Sequence, residues 1–209
     1  MTEMIKKAEA WARSFFDTDS TGHDWFHTDR VRKMALTIAG EEGADLYVTE
    51  MTALLHDIAD DKFYSSEKEG ERVVRRWLHE QKVQQKEIIL SNIASVSFSS
   101  GETPETLEGK IVQDADRLEA IGAIGIARCF MYAGAAGDPM YDPDIKVRSE
   151  MSKKEYRTGK STAVNHFYEK LLKLSCKMNT NTGRNLAKER HRFLESFLGE
   201  FFDEWDGRK

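Results

Sequence analysis

Three prolines, two cysteines and no long apolar run set the first limits on this 209-residue chain. With so little proline, 40% apolar residues and 32% charged ones, the balance is that of a helix-rich globular protein rather than a disordered or fibrous one. Cys129 and Cys176 are too few for a disulfide framework or a thiolate zinc site. Both lie in apolar helical contexts and are expected to be buried, unreactive thiols. No run approaches a membrane span, and the opening MTEMIKKAEAWARSFF interleaves charges with its apolar residues, unlike a signal peptide. No membrane partner and a cytoplasmic location are therefore expected. Positive charge is not in excess either: the formal charge is −5 and the pI is near 5.8. That argues against a nucleic-acid partner, because binding a phosphate backbone needs a net basic face. A glycine-rich phosphate loop and period-2 strand patterns are also missing.

What remains is helical periodicity. Apolar spacing predicts helices over 2–17, 23–42, 47–59, 67–80, 83–96, 105–117, 118–134, 160–178 and 180–205. The second follows Asp19-Ser20-Thr21-Gly22, a turn and N-cap signal, and Thr103-Pro104-Glu105 opens another in the same manner. The expected fold is an all-α, single-domain helical bundle over 1–209 with about nine helices, folding alone or as a small homo-oligomer. Its anticipated parts are a core over about 22–130, a long loop over 135–159 and C-terminal helices over 160–205. That loop holds Lys146, Arg148, Lys153, Lys154 and Arg157, with Lys160 adjacent. It reads either as a solvated charged segment or as a lid that grips phosphate.

Two of the six histidines precede aspartate, in His23-Asp24 and His56-Asp57. Chance alone would supply about 0.4 such pairs in this composition, so the dipeptide carries little by itself. Position adds more. His27, Val31, Met34 and Ile38 share one apolar helical side, which turns the imidazole inward. His56-Asp57 closes a helix with Met51, Leu54, Leu55 and Ile58 as its apolar positions. A carboxylate emerging beside a core calls for a partner or a metal. Asp116 shares a side with the small, apolar Val112, Ala120, Ala123 and Ala127, which would let another helix approach and share an ion. Asp114, by contrast, reads as a solvated helix-end carboxylate.

This order, His27, His56-Asp57 and then Asp116 a further 59 residues on, resembles the H…HD…D pattern of the HD-domain superfamily of metal-dependent phosphohydrolases. The segments GHDWFHTDRV, ALLHDIADDK, KIVQDADRLEAIGAIGIAR and HFYEKLLKL extend the resemblance over most of residues 22–198. They are similar to small bacterial HD proteins that hydrolyse nucleoside triphosphates, preferentially deoxy forms, to monophosphate and pyrophosphate. The resemblance implies an HD-type bundle holding one divalent ion on His27, His56, Asp57 and Asp116. Mixed nitrogen and oxygen donors favour Mn, the expected metal, or Fe, Co, Ni or Zn over Mg or Ca. A nucleotide is the expected substrate, attacked by water.

Asp60 lies one turn beyond His56 if the helix persists, and family position agrees, so it is the first candidate to orient the water and take its proton; Asp61 is the second. Phosphate contacts are expected from His166 and Lys170, then Lys110, His23 and Lys62. Arg117 could serve instead in a structural ion pair, and His79 and His191 read as surface residues. Two rival readings use the same centre: a 5′-nucleotidase acting on deoxynucleoside monophosphates, and a nucleotide-binding regulatory module with a vestigial metal site.

Overall fold

In the computed structural model, residues 2–16, 24–60, 63–64, 67–96, 103–148 and 159–209 are described. They form nine α-helices and no strand, so the all-α expectation holds. In chain order these are α1 (Glu3–Phe16), α2 (Trp25–Glu42), α3 (Leu46–Leu55), α4 (Glu67–Glu80), α5 (Lys86–Val96), α6 (Leu107–Glu119), α7 (Gly122–Ala136), α8 (Ala163–Glu169) and α9 (Asn181–Trp205). No single helix among the described residues is long and apolar enough to cross a membrane.

The chain contacts group into two compact units, Met1–Asp116 with Asn179–Gly183, and Arg117–Met178 with Arg184–Lys209. In the first unit, α3 is the central element. It has buried residues on every side, from Val48 to Leu55, and packs against α1, α2 and α5. Ile5, Ala8, Phe16, Met51, Leu54, Ile58, Val74, Leu78 and Ile89 fill the shared core. A charged tie runs through the same layer: buried Arg32 of α2 donates to Glu9 of α1 at 3.0 Å and lies 3.3 Å from Glu50 of α3. A guanidinium has enough donors to satisfy two carboxylates at once, which suits a buried junction of three helices.

Several ends differ from expectation for local reasons. Asp24 caps α2, its side chain accepting from the His27 N–H at 2.8 Å, while residues 19–22 lie outside the described residues. Thr106 performs that task for α6, accepting from Gly109, so the helix begins two residues after Glu105. The helix expected over 47–59 stops at Leu55 and continues as one 3₁₀ turn, His56–Ala59. In α4, Gly70 permits the contact with this turn, since a Cβ there would lie 2.5 Å from the Ala59 carbonyl oxygen.

In the second unit, Gly122 begins α7 at φ 78, and a Cβ on Gly125 would lie 2.4 Å from the Ala120 carbonyl oxygen. Glycine at both positions therefore breaks the run expected to carry Ala120, Ala123 and Ala127 along one side with Asp116. Ala123 and Ala127 are exposed. The helix expected over 160–178 is also broken. It ends at Glu169, Lys170 leaves helical geometry at φ −137 and ψ −58, and two 3₁₀ turns follow. Phe130, Phe167 and Phe197 pack together with centroids 5.8–6.1 Å apart.

The basic loop is partly tied down. Arg148 donates from Nε and Nη2 to the buried Glu169 carboxylate at 2.9 and 2.7 Å, and its backbone N–H donates at 3.1 Å. Asn165 donates to the Ile145 carbonyl at 2.9 Å. Arg148, expected among phosphate-gripping cations, is thus committed to Glu169, whereas Lys153, Lys154 and Arg157 lie outside the described residues. The thiol expectation also needs correction: Cys176 is exposed, and Cys129, only half-buried, is pushed up to about 12, chiefly by burial. His191 is half-buried, within 3.5 Å of Glu195 and 3.4 Å of Ser175.

Candidate metal centre

Backbone capping and side-chain direction meet at His27. Asp24 fixes the first turn of α2, which sets His27 on the inward side with Val31 and Ile38, and only 1% of it is exposed. The 3₁₀ turn after α3 supplies the next two groups. His56 Nδ1 bonds the Ala53 carbonyl oxygen at 2.8 Å. That bond requires the proton on Nδ1 and leaves the lone pair on Nε2, the tautomer a metal ligand needs. His56 Nε2 is buried and has no hydrogen-bond partner among the described residues.

Asp57 lies between the two imidazoles: Oδ1 is 3.4 Å from His56 Nε2, and Oδ2 is 3.4 Å from His27 Nε2. Ligand atoms of His27, His56 and Asp57 all fall within 4.8 Å of one another, so these three form a group able to hold a divalent ion. Asp116 adds a fourth donor residue, with Oδ1 3.5 Å from His27 Nε2. Two donors about 2.1 Å from one ion stand about 3.0 Å apart at a right angle and about 3.4 Å apart at the tetrahedral angle. The observed gaps therefore suit donors converging on a shared centre. Burial pushes the Asp116 carboxyl up, but the hydrogen bond and charge of His27 and the charge of His56 outweigh it against the opposing Asp57. The net effect holds Asp116 below the usual carboxylate range, the ionised form coordination requires.

Asp116 is held by the packing of α6. Gln113 donates to the Ser95 carbonyl on α5 at 3.0 Å, and Thr106 donates to Asn92 at 2.6 Å. The most consequential group missed in the sequence is Asp114. It is fully buried, not solvated, and accepts from Asn179 N, Asn179 Nδ2, Thr180 N and Thr180 Oγ1 at 2.8–2.9 Å. This carboxylate draws residues 179–183 against α6, and the absence of a side chain at Gly183 leaves room for it. Alternation of Asp114 and Asp116 along α6, about 200° apart around the axis, gives one a structural task and leaves the other for the centre.

The neighbouring candidates divide. Asp60 is half-buried at the end of the 3₁₀ turn in extended geometry, so the helix that would have aligned it with His56 does not persist. In a 3₁₀ turn the residue three before it, Asp57, is the one that shares its side. Lys110 is on α6 but about 9 Å along the axis and about 120° around from Asp116. His166 and Lys170 belong to the second unit. Burial, followed by the charge of Lys170, lowers His166 to about 4 despite the opposing Glu169, with Arg148 also depressing it. It is a neutral imidazole at neutral pH, so a phosphate contact from it carries no positive charge. Arg117 donates to the Lys177 carbonyl. His23, Asp61 and Lys62 lie outside the described residues.

The sequence profile of the HD-domain family matches residues 25–121, the span that carries His27, His56, Asp57 and Asp116. YpgQ of Bacillus subtilis is 37% identical over 93% of this chain and 91% of its own length. The chain belongs to the HD-domain family. Solved relatives cover nearly all of it. An HD-superfamily hydrolase from Bacillus thuringiensis is 43% identical with a TM-score of 0.80, covering 98% of this chain and 97% of its own. A Lactobacillus plantarum protein is 39% identical with a TM-score of 0.84 and covers 99% of both. YpgQ has also been solved in complex with ADP; that structure is 36% identical with a TM-score of 0.77, covering 96% of this chain and 97% of its own.

Proposed function

We propose that this HD-family chain is a metal-dependent phosphohydrolase that converts nucleoside triphosphates, deoxy forms preferentially, to the monophosphate and pyrophosphate. The observation that carries the reading is the meeting of two imidazoles and two carboxylates in one unit, with the His56 tautomer fixed for coordination. The ADP bound to YpgQ favours a nucleotide as the ligand class. His27, His56, Asp57 and Asp116 would hold the ion, with manganese the expected choice for such a mixed donor set. When bound, the ion supplies Lewis acidity towards a phosphoryl oxygen and acidifies water.

The chain's own groups then have separable tasks. Asp60, with Asp61 as the competing acid, orients the attacking water and takes its proton. Lys170 attracts the β- and γ-phosphates, and His166, being neutral, donates a hydrogen bond rather than a charge. His23, Lys62 and Lys110 remain secondary phosphate contacts, Lys110 weakened by its angular separation from Asp116. Incubating the manganese-loaded protein with a panel of dNTPs, NTPs and dNMPs, with pyrophosphate and orthophosphate quantified separately, tests the reading. Pyrophosphate from the triphosphates is expected. Orthophosphate released from a deoxynucleoside monophosphate faster than any triphosphate is consumed would make the chain a 5′-nucleotidase instead. Metal binding without turnover of either class would make it a regulatory nucleotide-binding module.

A further inference from the structure

A second, oppositely charged site lies on the outer side of α4. Arg72, Arg75, Arg76 and His79 follow one another at i, i+3, i+4 and i+7, so one helical stripe carries all four. Lys86 and Glu87 from the start of α5 complete the lining of an open cleft of about 370 Å³. The inner side of α4 is apolar, with Val74 and Leu78 fully buried.

The cations in this cleft differ in their partners. Arg75 is satisfied by two carboxylates, donating to Glu71 at 2.9 Å and to Glu87 at 3.0 Å. Arg72, Arg76 and Lys86 pair with no carboxylate among the described residues, although Glu69, Glu71, Glu80 and Glu87 are on the same two helices. Arg72 and Arg76 are one turn apart, a like-charge spacing that weakens a helix. With both local acids consumed by Arg75, the cleft keeps a concentrated positive charge on a chain whose net charge is −5.

We infer that this cleft binds a compact polyphosphate anion, either free diphosphate or the phosphate chain of a nucleoside diphosphate. Two guanidiniums and an ammonium around one cavity match several phosphoryl oxygens, and charge-assisted, bidentate contacts are those that arginine makes best. The volume falls in the range of small-molecule sites. A nucleic-acid strand fits less well because it needs an extended basic track, whereas acids flank this stripe. None of the lining residues belongs to the metal centre, so the inference does not depend on the reaction proposed above.

The test is a ¹⁵N–¹H titration of the full, zinc-loaded chain with inorganic pyrophosphate and, separately, with ADP. Amides of residues 72–79 and 86–87 and the His79 ring should shift, with the apparent affinity falling as salt rises. Arg72→Gln with Arg76→Gln should weaken these shifts at least tenfold while shifts around His56 and Asp57 persist. Both arginines are exposed, and an otherwise unchanged spectrum shows that the fold is intact; Lys86→Gln provides an independent second variant. Pyrophosphate acting without ADP identifies free diphosphate as the ligand, and both acting identifies the phosphate chain. Shifts limited to the metal centre, shifts unchanged in both variants, or equal shifts with sodium chloride alone would overturn the inference.

Discussion

Replacing Asp114 by alanine should cost the protein much of its stability although the residue would touch neither metal nor substrate. Its carboxylate accepts four hydrogen bonds from Asn179 and Thr180 at 2.8–2.9 Å in a site with no solvent exposure. Bonds to a charged acceptor contribute about 1.5–3 kcal/mol each, but a simple sum overshoots because removing the carboxylate also removes its own desolvation cost of several kcal/mol. What remains is two backbone donors stripped of an acceptor, Thr180 buried and Asn179 part-buried, at about 1–3 kcal/mol each, together with a small cavity. The expected loss is therefore about 3–5 kcal/mol, or roughly 6–20 °C in Tm for a chain of this size. Asp114→Asn preserves volume and one acceptor oxygen but presents an NH₂ to a donor, and should cost about 2–4 kcal/mol. Urea and thermal unfolding of both variants give the comparison. A change below about 1 kcal/mol in Asp114→Ala would refute the claim that this carboxylate anchors residues 179–183 to α6.

Further outcomes follow from the same geometry. His56→Ala and Asp57→Ala should each abolish retention of the metal, measured by elemental analysis after desalting, and with it all hydrolysis. Asp60→Ala should keep the metal but slow turnover roughly 10²–10⁴-fold; full activity there together with a dead Asp61→Ala would transfer the proton-accepting role to Asp61. The His166 ring should titrate near 4 by NMR, below its ordinary value because of burial and the cations Lys170 and Arg148. Since the unfolded chain binds that proton first, stability is fully present above pH 6.5 and is lost as pH falls towards 4, by about 2–3 kcal/mol. His166→Gln should flatten that part of the pH–stability curve, and an unchanged curve would show that the group does not contribute.

The grouping of His27, His56 and Asp57 was legible because each combined a chemically suited side chain with an inward position. His27 falls in register with Val31 and Ile38, and His56-Asp57 follows Leu54 and Leu55 into the core. Asp114 was not legible, since its partners are 65 and 66 residues away and nothing local separates a buried helix carboxylate from a solvated one. The same limit hid Glu169, whose buried charge is matched by Arg148 from the loop. Breaks inside periodic stretches were missed for another reason. Apolar spacing puts one boundary at 117/118, whereas the helix runs to Glu119 and a left-handed Gly122 begins the next, and it continues through Lys170, where φ −137 and ψ −58 leave helical geometry. Asp60 shows how such an error propagates: its proposed role survives on position, but the helical alignment with His56 does not.

The most direct test of the central claim is hydrolysis of dATP in ¹⁸O-labelled water by protein stripped of metal and reloaded with manganese. Stripped protein should show no turnover, and reloaded protein should release equimolar dAMP and pyrophosphate, with the label in dAMP because water attacks the α-phosphorus. Label in the pyrophosphate, or undiminished turnover without metal, would contradict the claim.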